Sequence, residues 1–331
     1  MAFDVFGMCN ALHDIQAAVG EDFLVELGLV KGSMTLIDEH RQRQIMARIP
    51  ERVVNSEPGG SGANTMIGIA QLGGSCCFTS RVGRDSIGRS YADGLRRKGV
   101  QPNLATGEGD TGTCLVLITP DAQRTMLTYL GEAVNLQASD VRLADLRASK
   151  YVYITGYLWD RPNQREAVAF AMHAANRAGV PVCLSLSDSF CVARHKDDLR
   201  RLLRDHVDVV VCNADEAQGL MDADTPEQAA RALSEVAHIA VVTMDSRGSL
   251  IASQHQCYRI SAYAVNAVDT TGAGDMYAAG LLYGLAHGLP LEIAGSIGAN
   301  AAAQVVGQLG PRVEELDLRE VNRLRKAAQA P

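Results

Sequence analysis

Four short runs rich in β-branched and other apolar residues, 151–154, 180–186, 207–211 and 239–243, each follow a stretch of helical character. This repeat restricts the fold more than any other feature of the chain. Strands that are apolar on both faces and separated by helices pack as a mostly parallel sheet covered on both sides. Residues 3–8 and 76–82 read as further core strands, and 249–251 with 257–260 as a hairpin. Helices are expected over 86–98, 276–286 and 291–306, with a solvated, charged helix in the tail (313–331).

Two segments break the repeat. Residues 32–38 place Met34 and Leu36 at period two after a turn. In 111–130 a strand, the turn Pro120-Asp121-Ala122-Gln123 and a second alternating strand set Met126, Thr128 and Leu130 on one face. They form either a small sheet standing off the main domain or edge strands of the main sheet. The first alternative divides the chain into a large domain (1–14, 59–110 and 137–331) and a small β lid (15–58 and 111–136).

Chemistry concentrates in Val268-Asp269-Thr270-Thr271-Gly272-Ala273-Gly274-Asp275, followed by an almost wholly apolar helix. A glycine turn opening a helix aims backbone N–H groups at one point, and the helix dipole adds to their pull on an anion. Gly272, Ala273 and Gly274 are the candidate anion hole, and Asp275 could take a proton from a hydroxyl. The bland alternative for Asp275 is a helix cap. The turn is no dinucleotide fingerprint, since Tyr277 stands where GxGxxG needs glycine. A second glycine turn, Gly59-Gly60-Ser61-Gly62-Ala63-Asn64, also precedes a helix and permits close backbone approach to a ligand. Asn10 and Asp14 lie just past the first strand, at the end of the sheet where α/β proteins bind ligands; capping is the alternative for Asp14.

The net charge of −7 argues against nucleic acid or an anionic membrane as partner. The first ten residues, with Asp4 and no basic region, do not read as a signal peptide, and the polar residues within 293–311 make a poor membrane span. Eight scattered cysteines with no CxxC pair suit reduced thiols in a cytoplasmic protein.

Asp-Thr-Thr-Gly-Ala-Gly-Asp at 269–275, Gly59-Gly60 with Asn64, and Asn213-Ala214-Asp215-Glu216 after a strand together resemble, in order and spacing, the signatures of the ribokinase-like (PfkB) carbohydrate kinases. Within the family, residues 7–15 (GMCNALHDI) resemble the opening of its adenosine kinases. The resemblance implies an α/β fold: a ribokinase-like three-layer αβα sandwich with a mostly parallel central sheet and a small β-sheet lid. It implies ATP and Mg2+, with K+ as an activator in many relatives, and phosphorylation of the 5′-hydroxyl of a purine ribonucleoside, adenosine first. Alternatives are a sugar kinase of ribokinase or fructokinase type, an inosine or guanosine kinase, or a silent nucleoside binder; the intact Asp275 turn argues against the last. The partner is then a small molecule, with the chain a monomer or a homodimer joined through the lid.

The resemblance also carries roles onto residues. Asp275 would be the base and Arg124 a phosphate or lid contact. Asn10, Asp14, Gly59, Gly60 and Asn64 would hold the ribose. Leu12, Met34, Leu36, Cys114, Met126, Thr128 and Leu130 would line the base pocket, with Tyr157 or Leu158 against the base. Asn213 and Glu216 would act on Mg2+ through water, Asn213 also on phosphate, and Asp269 with Thr271 would take the monovalent cation. Thr243, Arg247, Gly248 and Asn300 fall on the ATP side. Two departures there are Asp245, where many relatives have glycine, and Ser185, where many have Asn or Asp.

Overall fold

The computed structural model describes residues 2–329. Nine strands form the large sheet: β1 (Phe3–Met8), β5 (Cys76–Gly83), β6 (Val100–Gly107), β9 (Ser149–Thr155), β10 (Val182–Ser185), β11 (Val209–Asn213), β12 (Ile239–Thr243), β13 (Ser249–Ser253) and β14 (Gln256–Ile260). Five form a second sheet: β2 (Leu12–Ala18), β3 (Met34–Leu36), β4 (Val53–Gly59), β7 (Thr113–Ile118) and β8 (Arg124–Tyr129). The large sheet runs β14-β13-β12-β11-β10-β9-β1-β5-β6, parallel except for the terminal β13–β14 hairpin. The chain is the expected α/β fold of ribokinase type.

Side-chain alternation explains the three layers, because successive residues of a strand point to opposite faces. Phe6, Met8, Val152, Ile154, Val210 and Cys212 pack into one core with the helices Pro162–Ala178 and Ser189–His206. Val5, Tyr153, Val209 and Val211 pack into the other with the helices Ser61–Gln71 and Ala273–Ala286. The Ala273–Ala286 helix lies tight against the Leu291–Val306 helix: a Cβ on Gly280 would come within 2.6 Å of the Gly298 backbone.

The small sheet runs β3-β8-β7-β2-β4. It has its own core, where Ile15, Ala17, Leu115, Leu117 and Leu127 meet Phe23, Leu24 and Ile45 of the short flanking helices. The interrupting segments are therefore a separate sheet, not edge strands of the large one. Three expectations are corrected. Leu12–Asp14 belong to the small sheet, since β2 begins at Leu12 and pairs with both β4 and β7. Strand β6, absent from the sequence reading, closes one edge of the large sheet against β5; its Pro102 and Asn103 obscure the strand pattern. The tail helix, Arg319–Gln329, is not fully solvated: Val321 and Leu324 are buried with Ile297, Ala301 and Val305.

All eight cysteines are free thiols. Among the described residues no helix is long and apolar enough to cross a membrane.

Candidate active site

The chain leaves β1 at Met8 and departs in sequence order toward β5 on one side and β9 on the other, so the crevice between the sheets opens at a topological switch point. Asp275 sits in the first turn of the Ala273–Ala286 helix. Its Oδ1 accepts from Ser61 Oγ at 2.6 Å and its Oδ2 from Asn64 Nδ2 at 2.8 Å. Burial pushes its carboxyl up to about 6, against the pull of those two hydrogen bonds and the charge of Arg312. A carboxylate fixed in this way can accept a proton from a hydroxyl near neutral pH.

Gly272 precedes the helix at φ 78, a conformation that a side chain would strain. Pro311 lies directly over it: a Cβ there would approach the Pro311 carbonyl oxygen to 2.3 Å. One member of the expected anion hole is corrected. The Ala273 N–H donates to the Thr270 carbonyl at 3.2 Å. Among the described residues, the N–H groups of Gly272, Gly274 and Asp275 are the ones in this turn without a protein acceptor. Gly274 is exposed, with open space where a Cβ would stand.

Asp14 lies across the crevice on β2. Its carboxylate rests on the Cα of Gly59, where a Cβ would stand 2.1 Å from Asp14 Cγ. It accepts no hydrogen bond from any described residue. Burial raises it to about 6, opposed chiefly by Arg312 and then Arg124. Asn10 is buried beside it; its Oδ1 accepts from Gln164 Nε2 at 2.7 Å, which leaves the Asn10 Nδ2 uncommitted. Gly60, at φ 86, brings its backbone against the Asn10 carbonyl and Leu12.

Strand register puts the expected base-pocket residues on one face of the small sheet. Asp14 pairs with Cys114, Cys114 with Thr128, and Thr128 with Leu36; Val116 pairs with Met126, and Met126 with Met34. Leu12 precedes Asp14 on the same face, and Leu130 follows β8 half-buried. Met34 and Leu36 are 56% and 61% exposed, an apolar surface with nothing yet against it. Leu158 is fully buried in the core, which leaves Tyr157, half-buried, as the candidate of the two. The Tyr157 hydroxyl donates to the Ser187 carbonyl at 3.4 Å.

Asn64 is placed differently from the ribose contact expected. Its Nδ2 serves Asp275 and its Oδ1 accepts from Arg312 Nη1, so both ends of the amide are occupied within the protein. Arg124 of β8 donates from Nη1 to Asp269 Oδ2 at 2.7 Å. Asp269 also accepts from the N–H groups of Thr271 and Gly310. Burial would raise that carboxyl, but these bonds and the Arg124 charge hold it below its usual range. Asp269 Oδ2 is taken by Arg124 and Gly310 while Oδ1 accepts from the Thr271 N–H, so a monovalent cation at this carboxylate would have to share it with a guanidinium.

At the carboxyl ends of the neighbouring strands, Asn213 and Thr243 are register partners. Asn213 and Glu216 form a reciprocal capping box: Glu216 N–H donates to Asn213 Oδ1 at 2.9 Å, Asn213 N–H to Glu216 Oε2 at 3.1 Å, and Asn213 Nδ2 to Glu216 Oε1 at 2.7 Å. Burial pushes Glu216 up to about 7. The polar atoms of these two residues bond to each other, and among the described residues no cluster of three metal-binding side chains occurs. Asp245 has φ 51, which accounts for the glycine expected at its position, since Asp tolerates the left-handed region better than most residues. Gly248 follows at φ 84, and Arg247 is exposed beside it. Ser185 ends β10 half-buried. Asn300 accepts from Gln304 and lines a surface cavity of 420 Å³ shared with Asp317, Arg319 and Glu320.

Ser61, Glu57, Gln164 and Arg312 escaped the sequence reading. Ser61 lies inside the second glycine turn and was legible there. Arg312 follows Gly310-Pro311, beyond the apolar helix, and nothing local marks it.

A family model described as pfkB family carbohydrate kinase matches residues 33–317. The chain is similar to the crystal structure of adenosine kinase from Sinorhizobium meliloti at 35% identity and TM-score 0.87, covering 98% of this chain and 100% of that one. A probable sugar kinase from Rhizobium etli matches at 34% identity and TM-score 0.87, covering 98% and 99%. A fructokinase from Klebsiella pneumoniae is 29% identical over 260 residues, 76% of this chain and 85% of that protein.

Proposed function

The chain belongs to the pfkB family of carbohydrate kinases, a phosphotransferase acting on a hydroxyl of a sugar or nucleoside, and from that premise we propose that it transfers the γ-phosphoryl group of ATP to the 5′-hydroxyl of a purine ribonucleoside, adenosine first. The family implies ATP and, usually, Mg2+, here carried with the nucleotide phosphates.

The observation that carries the nucleoside reading is the pairing of an unpartnered buried carboxylate, Asp14, with the apolar and thioether-rich face of the small sheet. A carboxylate with free lone pairs suits two vicinal hydroxyls, and a wide apolar face suits a flat purine better than a bare sugar. The likeness to an adenosine kinase at 35% identity supports the same reading.

Asp275 takes the hydroxyl proton as the oxygen attacks the γ-phosphorus, worth about 10²–10⁴-fold. The free N–H groups of Gly272, Gly274 and Asp275 meet charge on the transferring group, a larger contribution. Seating of the small sheet excludes water.

An ADP-release assay with adenosine, inosine, guanosine, cytidine, ribose and fructose tests this. Turnover of adenosine well above the free sugars is expected. Turnover of ribose or fructose with no nucleoside active would instead establish a sugar kinase, the reading favoured by the fructokinase relative.

A further inference from the structure

Arg312 enters the crevice from the segment that follows the Leu291–Val306 helix, and its side chain is only 6% exposed. Burying a guanidinium carries a desolvation penalty that its partners must offset. Its contacts are Asn64 Oδ1, through Nη1, and Glu57 Oε2 on β4 at 3.4 Å, through Nη2. Around it stand three carboxylates, Asp14, Glu57 and Asp275; its charge opposes the effect of burial on each, leaving Glu57 below its usual range and Asp14 and Asp275 at about 6. A guanidinium whose purpose was to neutralise Glu57 would need neither the amide contact nor this depth.

The amide contact has a directional consequence. A guanidinium carries donors only, so the Asn64 oxygen must face Arg312. The Asn64 NH2 group is then forced toward Asp275, where it donates to Oδ2 at 2.8 Å. If the amide turned over, its oxygen would face a carboxylate oxygen, an arrangement tolerable only when Asp275 carries a proton. A protonated Asp275 cannot act as a base.

We propose that Arg312 is a positioning residue for phosphoryl transfer: through Asn64 it fixes the ionised, aligned state of Asp275, and through Glu57 it ties that alignment to the seating of the small sheet. The inference rests on the reading of Asp275 as the base. Other titratable groups facing Asp275 are Asp14 from β2, Cys9 after β1, Tyr153 on β9 and Tyr157 beyond it; burial pushes the thiol and the two phenols further up, so they stay neutral across the assay, whereas Asp14, raised to about 6, ionises in the same range as Asp275. His13, on the far face of β2, is driven down to about 4 by burial and stays neutral near pH 7.

The test compares Arg312→Gln, Arg312→Lys, Asn64→Ala and the double variant Asn64→Ala/Arg312→Gln with the parent chain and with Asp275→Asn. Steady-state ADP release is followed from pH 5 to 9 with the best acceptor of the substrate panel. Arg312→Gln, which can accept as well as donate, is expected to lower kcat by about 10²-fold at pH 7 with a much smaller change in acceptor KM. It should also move the acid limb of the rate profile to higher pH, so that part of the loss is recovered above pH 8. Arg312→Lys, donor-only and cationic, should restore most of kcat and return the limb. In the double variant the two losses should be far from additive. A loss constant across pH, equal failure of Lys and Gln, or additive losses would overturn the proposal and leave Arg312 a structural residue. Asp275→Asn separates the two readings: near-normal turnover in that variant removes the base itself, whereas a dead Asp275→Asn beside a normal Arg312→Gln removes the role of Arg312 alone.

Discussion

Arg124 Nη1 donates to Asp269 Oδ2 at 2.7 Å, joining the small sheet to the turn that carries the anion hole. Both side chains are 11% exposed, so the pair is poorly screened, and salt should weaken it less than it would a surface pair. The pair spans 145 residues of sequence and links the small sheet to the large domain. Arg124→Met should lower kcat/KM by at least about 10-fold and increase proteolysis within the small sheet. Steady-state kinetics with limited proteolysis checks both, and a variant with normal rate and normal protection would show the pair to be idle.

Activity should fall as pH drops through about 6. Burial sets Asp275 to about 6, and the base works only when ionised. The acid limb of kcat/KM reports that ionisation in the free enzyme. A profile flat down to pH 4.5 would contradict it.

Asp14→Asn should trade substrate binding for stability. The Asp14 pKa is raised on folding, from 3.8 to about 6. Between those values the folded state holds a proton that the unfolded chain has lost, so stability falls as pH rises through this window and stays lowered above it. Removing the charge should therefore raise Tm at pH 8 but leave it little changed at pH 4. Acceptor KM should rise by about 10²-fold if two ribose hydroxyls bond to this carboxylate. Thermal melts at the two pH values, with KM at pH 8, decide it.

Two glycines should respond differently to alanine. At Gly59 a Cβ would stand 2.1 Å from Asp14 Cγ, so Gly59→Ala must push that carboxylate out of place and raise acceptor KM strongly. At Gly274 there is open space, so Gly274→Ala should fold with unchanged Tm yet lower kcat, the methyl group facing the transferred phosphoryl. Equal KM effects in the two variants would refute the assignment.

The order of elements was largely legible because strand alternation and the glycine turns act locally. β1 was read at its observed bounds, and the apolar stripes of β3 and β8 gave the face that Met34, Leu36, Met126 and Thr128 share. What escaped reading depends on contacts between distant parts of the chain. Whether Leu12–Asp14 extend the first domain or open the second is decided by pairing with β4 and β7, not by their own pattern. Val321 and Leu324 look like isolated apolar residues in a charged tail until the Leu291–Val306 helix covers them. Asn64 and Arg312 are 248 residues apart, and only the folded chain shows that one amide serves both the guanidinium and Asp275.

The crevice is furnished from Asn10 to Arg312, and all fourteen strands have been synthesised before Arg312 exists. A growing polypeptide on the ribosome could thus collapse both sheets and bring Asp275 to its helix while the amide beside it still turned freely. Full catalytic competence would arrive late in translation, and synthesis interrupted before Arg312 would yield chains that carry Asp275 without the residue that aligns it.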